Sequence, residues 1–168
     1  MQKTTSSLCL AMVFAALIGC GSDSGTQAPI SPDLDSPSRR SLLDSVCVDQ
    51  VNTDRASLTL VPLRDWKDSV DCFTRQAELD DAGGVAHSHM GMCSETAQNT
   101  CPGWSSDTSL PNQIRTIKSC VAAMWAEGPG SDYSKHGHYI NMTQTSYTRV
   151  GCGFHQTLDK IWIDMDLR

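Results

Sequence analysis

Leu43, Cys47 and Val51 recur at four-residue spacing, with Leu42 and Val46 alongside and polar residues between them. That period predicts an amphipathic helix, opening at Ser41 with Asp44 three residues on and running to about Ala56. Trp66, Val70, Phe73 and Ala77 keep one apolar face in the same way. A second helix is therefore expected from near Asp65 until Gly83-Gly84 ends it. A third opens around Pro111, a residue favoured at the first helical position. It carries Ile114, Ile117, Val121, Met124 and Trp125, and stops at Gly128-Pro129-Gly130.

Beyond that point the period changes. Tyr139 to Thr145, Thr148 to Phe154 and Leu158 to Met165 are short runs with β-branched and aromatic content, separated by polar turn residues. They predict an antiparallel meander, with Ile161, Ile163 and Met165 alternating against Trp162 and Asp164 in the last run. Helices gathered ahead of strands indicate an α+β layered domain rather than an alternating one. Between the second and third helices, residues 83–110 read as a long loop, a length uncommon unless it is functional or stapled.

The N-terminus lies outside this pattern. Lys3 followed by the apolar stretch Leu8 to Ile18 is too short to span a membrane and suits a secretory leader. Its end, Leu17-Ile18-Gly19-Cys20, resembles the lipobox of bacterial lipoproteins, in which the cysteine is lipidated and becomes the new N-terminus. Residues 1–19 are thus read as a lipoprotein signal peptide. Residues 20–40, rich in Ser, Pro, Gly and Asp, are read as a flexible tether that cannot offset its own chain entropy. Residues 41–168 form the folded domain. No aspartate immediately follows Cys20, which points to an outer-membrane lipoprotein of the cell envelope; plain secretion is the alternative.

Cysteine arithmetic agrees with that compartment. Of eight cysteines, Cys9 leaves with the leader and Cys20 takes the lipid. Cys47, Cys72, Cys93, Cys101, Cys120 and Cys152 remain as disulfide candidates. The pairing is open, and Cys93 with Cys101 is the one local possibility. No close Cys-x-x-Cys pair suggests a metal site. Without Lys3, 12 basic residues face 19 acidic ones, a formal charge of −7. A net-acidic domain without a basic cluster in its sequence makes nucleic acid an unsuitable partner.

Candidate chemistry rests on two imidazoles and two carboxylates, His87, Glu95, Glu127 and His138, with His138 placed on a strand and Glu127 at a helix end. The segments that hold them resemble the CAP superfamily of cysteine-rich secretory, antigen 5 and plant pathogenesis-related 1 proteins. The likeness runs through Trp125-x-Glu127, Gly137-His138-Tyr139 and Val150-Gly151-Cys152-Gly153. Upstream it includes Ala86-His87-Ser88, Glu95, and the tract Asn52 to Leu63 with Arg55 and Pro62-Leu63. It covers about residues 44–166. Departures are Ser94-Glu95-Thr96 where the family has Gly-Glu-Asn, a competing His89, and no Asn-Tyr motif near the C-terminus.

The resemblance implies a three-layer α-β-α sandwich with a central antiparallel sheet and a cleft holding the tetrad. His87 and His138 would be ligands for a divalent ion such as zinc, with Glu95 and Glu127 orienting the imidazoles. Family activities include lipid binding and scattered claims of proteolysis. A binder of a lipid or other small apolar ligand, held to the membrane through Cys20, is therefore expected ahead of an enzyme. The alternatives are a metal-assisted hydrolase and a structural protein whose tetrad only stabilises a loop. A hydrolase lacks an evident nucleophile: Ser88, Ser131 and Ser134 are near the tetrad, and none lies in a nucleophile elbow. Trp104 is the expected groove aromatic, with Trp66 and Trp125 in the core.

Overall fold

The computed structural model describes Leu34 and residues 36–168; the leader and the lipidation expected at Cys20 lie outside the described residues. Four helices are described, α1 (Pro37–Ser57), α2 (Val70–Gly83), α3 (Leu110–Trp125) and α4 (Tyr133–Thr143). The strands are β1 (Arg64–Asp65), β2 (Ala97–Ser105), β3 (Arg149–Gln156) and β4 (Lys160–Leu167), in the order β1-β3-β4-β2. Among the described residues no helix is long and apolar enough to cross a membrane.

The antiparallel sheet is present, with β4 central between β3 and β2 and the two-residue β1 added in parallel at one edge. One face is apolar. Ile161, Ile163, Met165 and Leu167 of β4 and Val150, Cys152 and Phe154 of β3 meet Leu43, Cys47 and Val51 of α1 and Ile117, Cys120 and Val121 of α3. The i, i+4 spacing read in the sequence is the stripe that packs here. α2 covers the other face, completing the three layers.

Glycine makes the second interface possible. A Cβ at Gly153 would lie 2.0 Å from the Phe73 carbonyl carbon, and one at Gly151 would lie 2.6 Å from the Phe73 ring. α2 therefore rests on bare backbone of β3. Either side of that contact, the sheet face is polar. Asp164 and Asp166 alternate with the apolar residues of β4, fully buried, and oppose Thr100 and Gln98 of β2 in register. Asp164 accepts from Thr100 Oγ1 (2.9 Å) and Trp162 Nε1 (3.1 Å), and Asp166 accepts from Gln98 Nε2 (3.1 Å). The second oxygen of each has no partner among the described residues. Burial pushes the Asp164 carboxyl up to about 7, with Asp80 and Glu95 adding repulsion and the Thr100 and Trp162 bonds opposing it. Burial raises Asp166 well above the carboxylate range, reinforced by Asp164 and Glu95.

Three disulfides bind the layers. Cys47–Cys152 joins α1 to β3, Cys101–Cys120 joins β2 to α3, and Cys72–Cys93 joins α2 to the segment after it. The local Cys93–Cys101 pairing is thus overturned: Cys101 sits on β2 facing α3, while Cys93 turns towards α2. Beside the first disulfide, buried Asp44 accepts the Cys152 N–H at 2.7 Å. That amide lies just past the end of β1, so the carboxyl stands in for a missing strand partner.

Two further expectations are corrected. Residues 139–145 are not a strand; they lie in and just beyond α4, which Asp132 caps by accepting the Ser134 N–H (3.0 Å). Residues 83–110 are not all loop, since 97–105 form β2. The first helix starts at Pro37, ahead of Ser41, and the second begins with a 3-10 turn (Lys67–Ser69) before α2.

Two outcomes follow from the polar face. Gly153→Ala should cost about 3 kcal/mol in chemical denaturation, because the clash is with backbone and no side chain can move aside; an unchanged midpoint would contradict the packing. Asp164 binds a proton more tightly when folded than its usual 3.8 allows. Its stabilising contribution is complete below about pH 4 and is lost as pH rises to about 7. Asp164→Asn keeps the acceptor oxygen, so it should raise Tm by at least about 3 °C at alkaline pH and by little in acid. Equal effects at both pH values would mean that burial does not shift the Asp164 carboxyl.

Candidate functional site

α4 supplies one wall of the site. Tyr133, Ser134, Gly137, His138 and Asn141 recur at helical spacing and line a cavity of about 260 Å³, closed by Glu127, His87 and Gln98. Gly137 lets the Tyr133 ring lie across the helix, since a Cβ there would meet it at 3.2 Å. Trp125, at the end of α3, packs against Tyr139 with ring centroids 4.8 Å apart. That contact brings Glu127 onto α4. Its carboxylate accepts from His138 Nδ1 at 2.6 Å and from the His138 backbone N–H at 3.0 Å. The pair is partly exposed, with the imidazole 34% and the carboxylate 25% accessible.

The segment between α2 and β2 supplies the opposite wall. His87 is exposed and holds a left-handed backbone at φ 65°, a conformation uncommon for a residue with a side chain. Its Nδ1 meets Gln98 Oε1 at 2.8 Å and Thr100 Oγ1 at 3.3 Å. Because Gln98 Nε2 donates to Asp166, the amide oxygen is the atom turned to His87, and the imidazole carries its proton on Nδ1. The His138–Glu127 contact likewise places a proton on Nδ1. Neither Nε2 has a protein partner among the described residues.

Glu95 does something else. It is 7% exposed, lines no cavity beside the histidines, and accepts from Gln76 Nε2 (2.6 Å), Cys93 N (2.9 Å) and Gly91 N. Its role is to fold the loop. Asp80 helps from α2, accepting from Ser88 Oγ (2.7 Å), the His89 N–H (3.0 Å) and His89 Nδ1 (2.7 Å). His89, the competing histidine, is thus tied to α2 and away from the cavity. The structure brings His87, Glu127 and His138 to one cavity and leaves Glu95 behind it.

Sequence reasoning missed Gln98, Tyr133, Asn141 and His136. His136 Nδ1 bonds the carbonyls of Glu127 (2.8 Å) and Gly128 (3.0 Å), fixing the turn that carries Glu127. Gly130 is required there, because a Cβ would overlap the His136 ring. The i, i+4 series Tyr133, Gly137, Asn141 behind Asp132 was the signal available for a helical wall. Trp104 is not a groove residue; it sits on β2 opposite Ile161 and packs against the core, while Trp66 is buried and Trp125 packs partly into the core, as expected.

An adjoining cavity of about 430 Å³ shares His87, Gln98, Tyr133 and Asn141 with the first and adds Met90, Ile140 and Tyr147. The two form one cleft, polar at the Glu127 end and more apolar at the other. Among the described residues no third His, Cys, Asp or Glu joins the histidines as a metal-holding group. Two imidazole nitrogens are a thinner ligand set than that of a catalytic zinc site. Ser134 Oγ donates to Asp132 (2.7 Å) rather than to His138, and the Thr100 hydroxyl beside His87 is buried and bonded to Asp164. All six candidate cysteines are in disulfides.

The fold has clear relatives. The chain is similar to the structure titled "Crystal structure of NaASP2 with Zn2+", at 14% identity and a TM-score of 0.56, covering 79% of each chain. It is also similar to BmVAL-1 (14% identity, TM-score 0.54, 80% of this chain and 78% of that one). Na-ASP-1 aligns at 12% identity and a TM-score of 0.53 over 84% of this chain, which spans 41% of that longer one. At these identities the likeness concerns the fold. No curated protein matches the sequence. The profile of the cysteine-rich secretory protein family, CAP, matches residues 48–162, and the chain belongs to that family.

Proposed function

We propose that this chain is an extracytoplasmic CAP-domain binding protein that takes a small ligand into the cleft between the His87 loop and α4. One observation supports this above the others. His87 and His138 face one cavity, and each has Nδ1 engaged from behind, by Gln98 and by Glu127. Two imidazoles so held present two Nε2 acceptors to whatever enters. The ligand's polar end would lie there, and its apolar part would follow Met90, Ile140 and Tyr147. A lipid or another small amphiphile has that shape.

A divalent ion such as zinc would bind through the same two Nε2 atoms, as an optional partner. When present it would supply a Lewis acid for a ligand oxygen. The protein's own part is orientation: Glu127 holds His138 through Nδ1 and a backbone N–H, and Gln98 with Thr100 holds His87. Binding is favoured over covalent catalysis because the Ser134 hydroxyl is bonded to Asp132, the Thr100 hydroxyl is buried against Asp164, and the cysteines are in disulfides. Three disulfides suit an oxidising compartment. A lipid on Cys20 would hold the domain to the cell envelope.

Zinc titration of the purified protein, followed by native mass spectrometry, tests the reading. One ion should bind, and Glu127→Gln should weaken it about tenfold through loss of imidazole orientation. His87→Ala with His138→Ala should abolish it while the melting temperature of the metal-free protein stays within a few degrees. A wild-type protein that takes no zinc removes the optional ion. A double variant that unfolds assigns the histidines to stability alone.

A further inference from the structure

The net charge of the sequence is −6, yet the β1 edge of the sheet is basic. Arg64 and Arg149 are register partners across β1 and β3, and Arg168 exchanges backbone hydrogen bonds with Arg149 (3.1 and 2.8 Å). Three arginines thus stand in a row across neighbouring strands, all exposed. The guanidinium carbons of Arg149 and Arg168 each lie 5.9 Å from the centroid of the buried Trp66 ring. The indole holds both cations in place. Among the described residues no carboxylate forms an ion pair with any of the three. Asp65, the next residue to Arg64, interacts instead with buried Asp44, and Asp71 pairs with Arg40. Like charges placed directly opposite destabilise a sheet, so an anion would relieve a repulsion already built in.

The row adjoins a groove of about 560 Å³ that shares Arg64 and is walled by Val61, Pro62, Tyr147 and Thr148. Val61 is 78% exposed at its rim. The turn that presents it is rigidly held. Thr59 takes a left-handed φ of 57°, and the buried Arg55 donates to the Val61 carbonyl through Nε (3.0 Å) and Nη2 (2.8 Å). Arg55 bonds only carbonyl oxygens here, reaching Met142 and Gln144 as well, and leaves its positive charge beneath the groove. Cations beside a preformed apolar slot match the phosphate and acyl parts of a single amphiphile.

We propose that this edge docks on anionic phospholipid at a bilayer surface, with Arg64, Arg149 and Arg168 on the phosphates and Val61 entering the acyl boundary. The groove shares Tyr147 with the apolar end of the histidine cleft but uses neither histidine, and the proposal does not rest on the function proposed for that cleft. Charge complementarity and the exposed Val61 beside it identify the occupant: free phosphate would use the arginines but leave the apolar groove empty.

Vesicle co-sedimentation of a chain from Gly21 onward, which keeps every described element and lacks Cys20, tests the proposal. The chain should bind vesicles containing an equal part of phosphatidylglycerol and not vesicles of phosphatidylcholine alone. Each arginine should contribute roughly fivefold in affinity, so Arg64→Gln should show that loss and Arg64→Gln with Arg149→Gln its square. Val61→Glu, at an exposed tip that folding does not need, should weaken binding in the same assay. Binding that ignores lipid charge, or that survives both arginine substitutions, would overturn the proposal. So would arginine-dependent binding of inorganic phosphate with no vesicle binding, which would make the edge a site for a soluble phosphate ligand.

Discussion

The contact between α2 and the bare backbone of β3 fixes the rest of the molecule. Gly151 and Gly153 let Phe73 reach the strand, and no other residue would. Held at that distance, α2 directs Gln76 and Asp80 at the segment that follows it. Gln76 bonds Glu95 and the His89 carbonyl, while Asp80 bonds Ser88 and His89. The left-handed backbone at His87 is held between these anchors and Gln98. Strain at one residue persists only where its surroundings over-determine it. Here they do, through α2, the Cys72–Cys93 disulfide and a buried carboxylate.

That arrangement explains why an interior face of the sheet is acidic. Asp164 and Asp166 weaken the fold at neutral pH, yet they orient Thr100 and Gln98, and those two orient His87. On the other side of the cleft a single carboxylate, Glu127, does the equivalent for His138. The two imidazoles are thus matched in tautomer by different means. Opposite, the Cys47–Cys152 disulfide and the apolar stripe of α1 carry the stability that the polar face gives up.

Much of this was legible in the sequence where burial is one-sided. α1 and α3 follow their four-residue spacing, and β4 follows its alternation, because each has one face in the apolar core. β2 was hidden because Gln98 and Thr100, polar and buried, replace the apolar residues that a strand pattern would show. α4 was hidden because Tyr139, Ile140 and Thr143 favour strands locally; the Asp132 cap and the packing of Tyr139 on Trp125 outweigh that preference. The four tetrad residues could be named from motifs, but their division of labour could not. Glu95 reads like a cleft residue and is a loop anchor, a difference set by Gln76 some 19 residues away in the chain.

The chemistry of the cleft depends on His87 and His138 both being held by Nδ1 and open at Nε2. Long-range nitrogen–proton correlation spectra of the uniformly nitrogen-15-labelled protein at neutral pH measure it directly. Both imidazoles should show a protonated Nδ1 and an unprotonated Nε2. Replacing Gln98 by Leu should release His87 to mixed tautomers while leaving His138 unchanged. An Nε2-protonated His87 or His138 in the wild-type protein would contradict the account, because the cleft would then offer donors where it is described as offering acceptors.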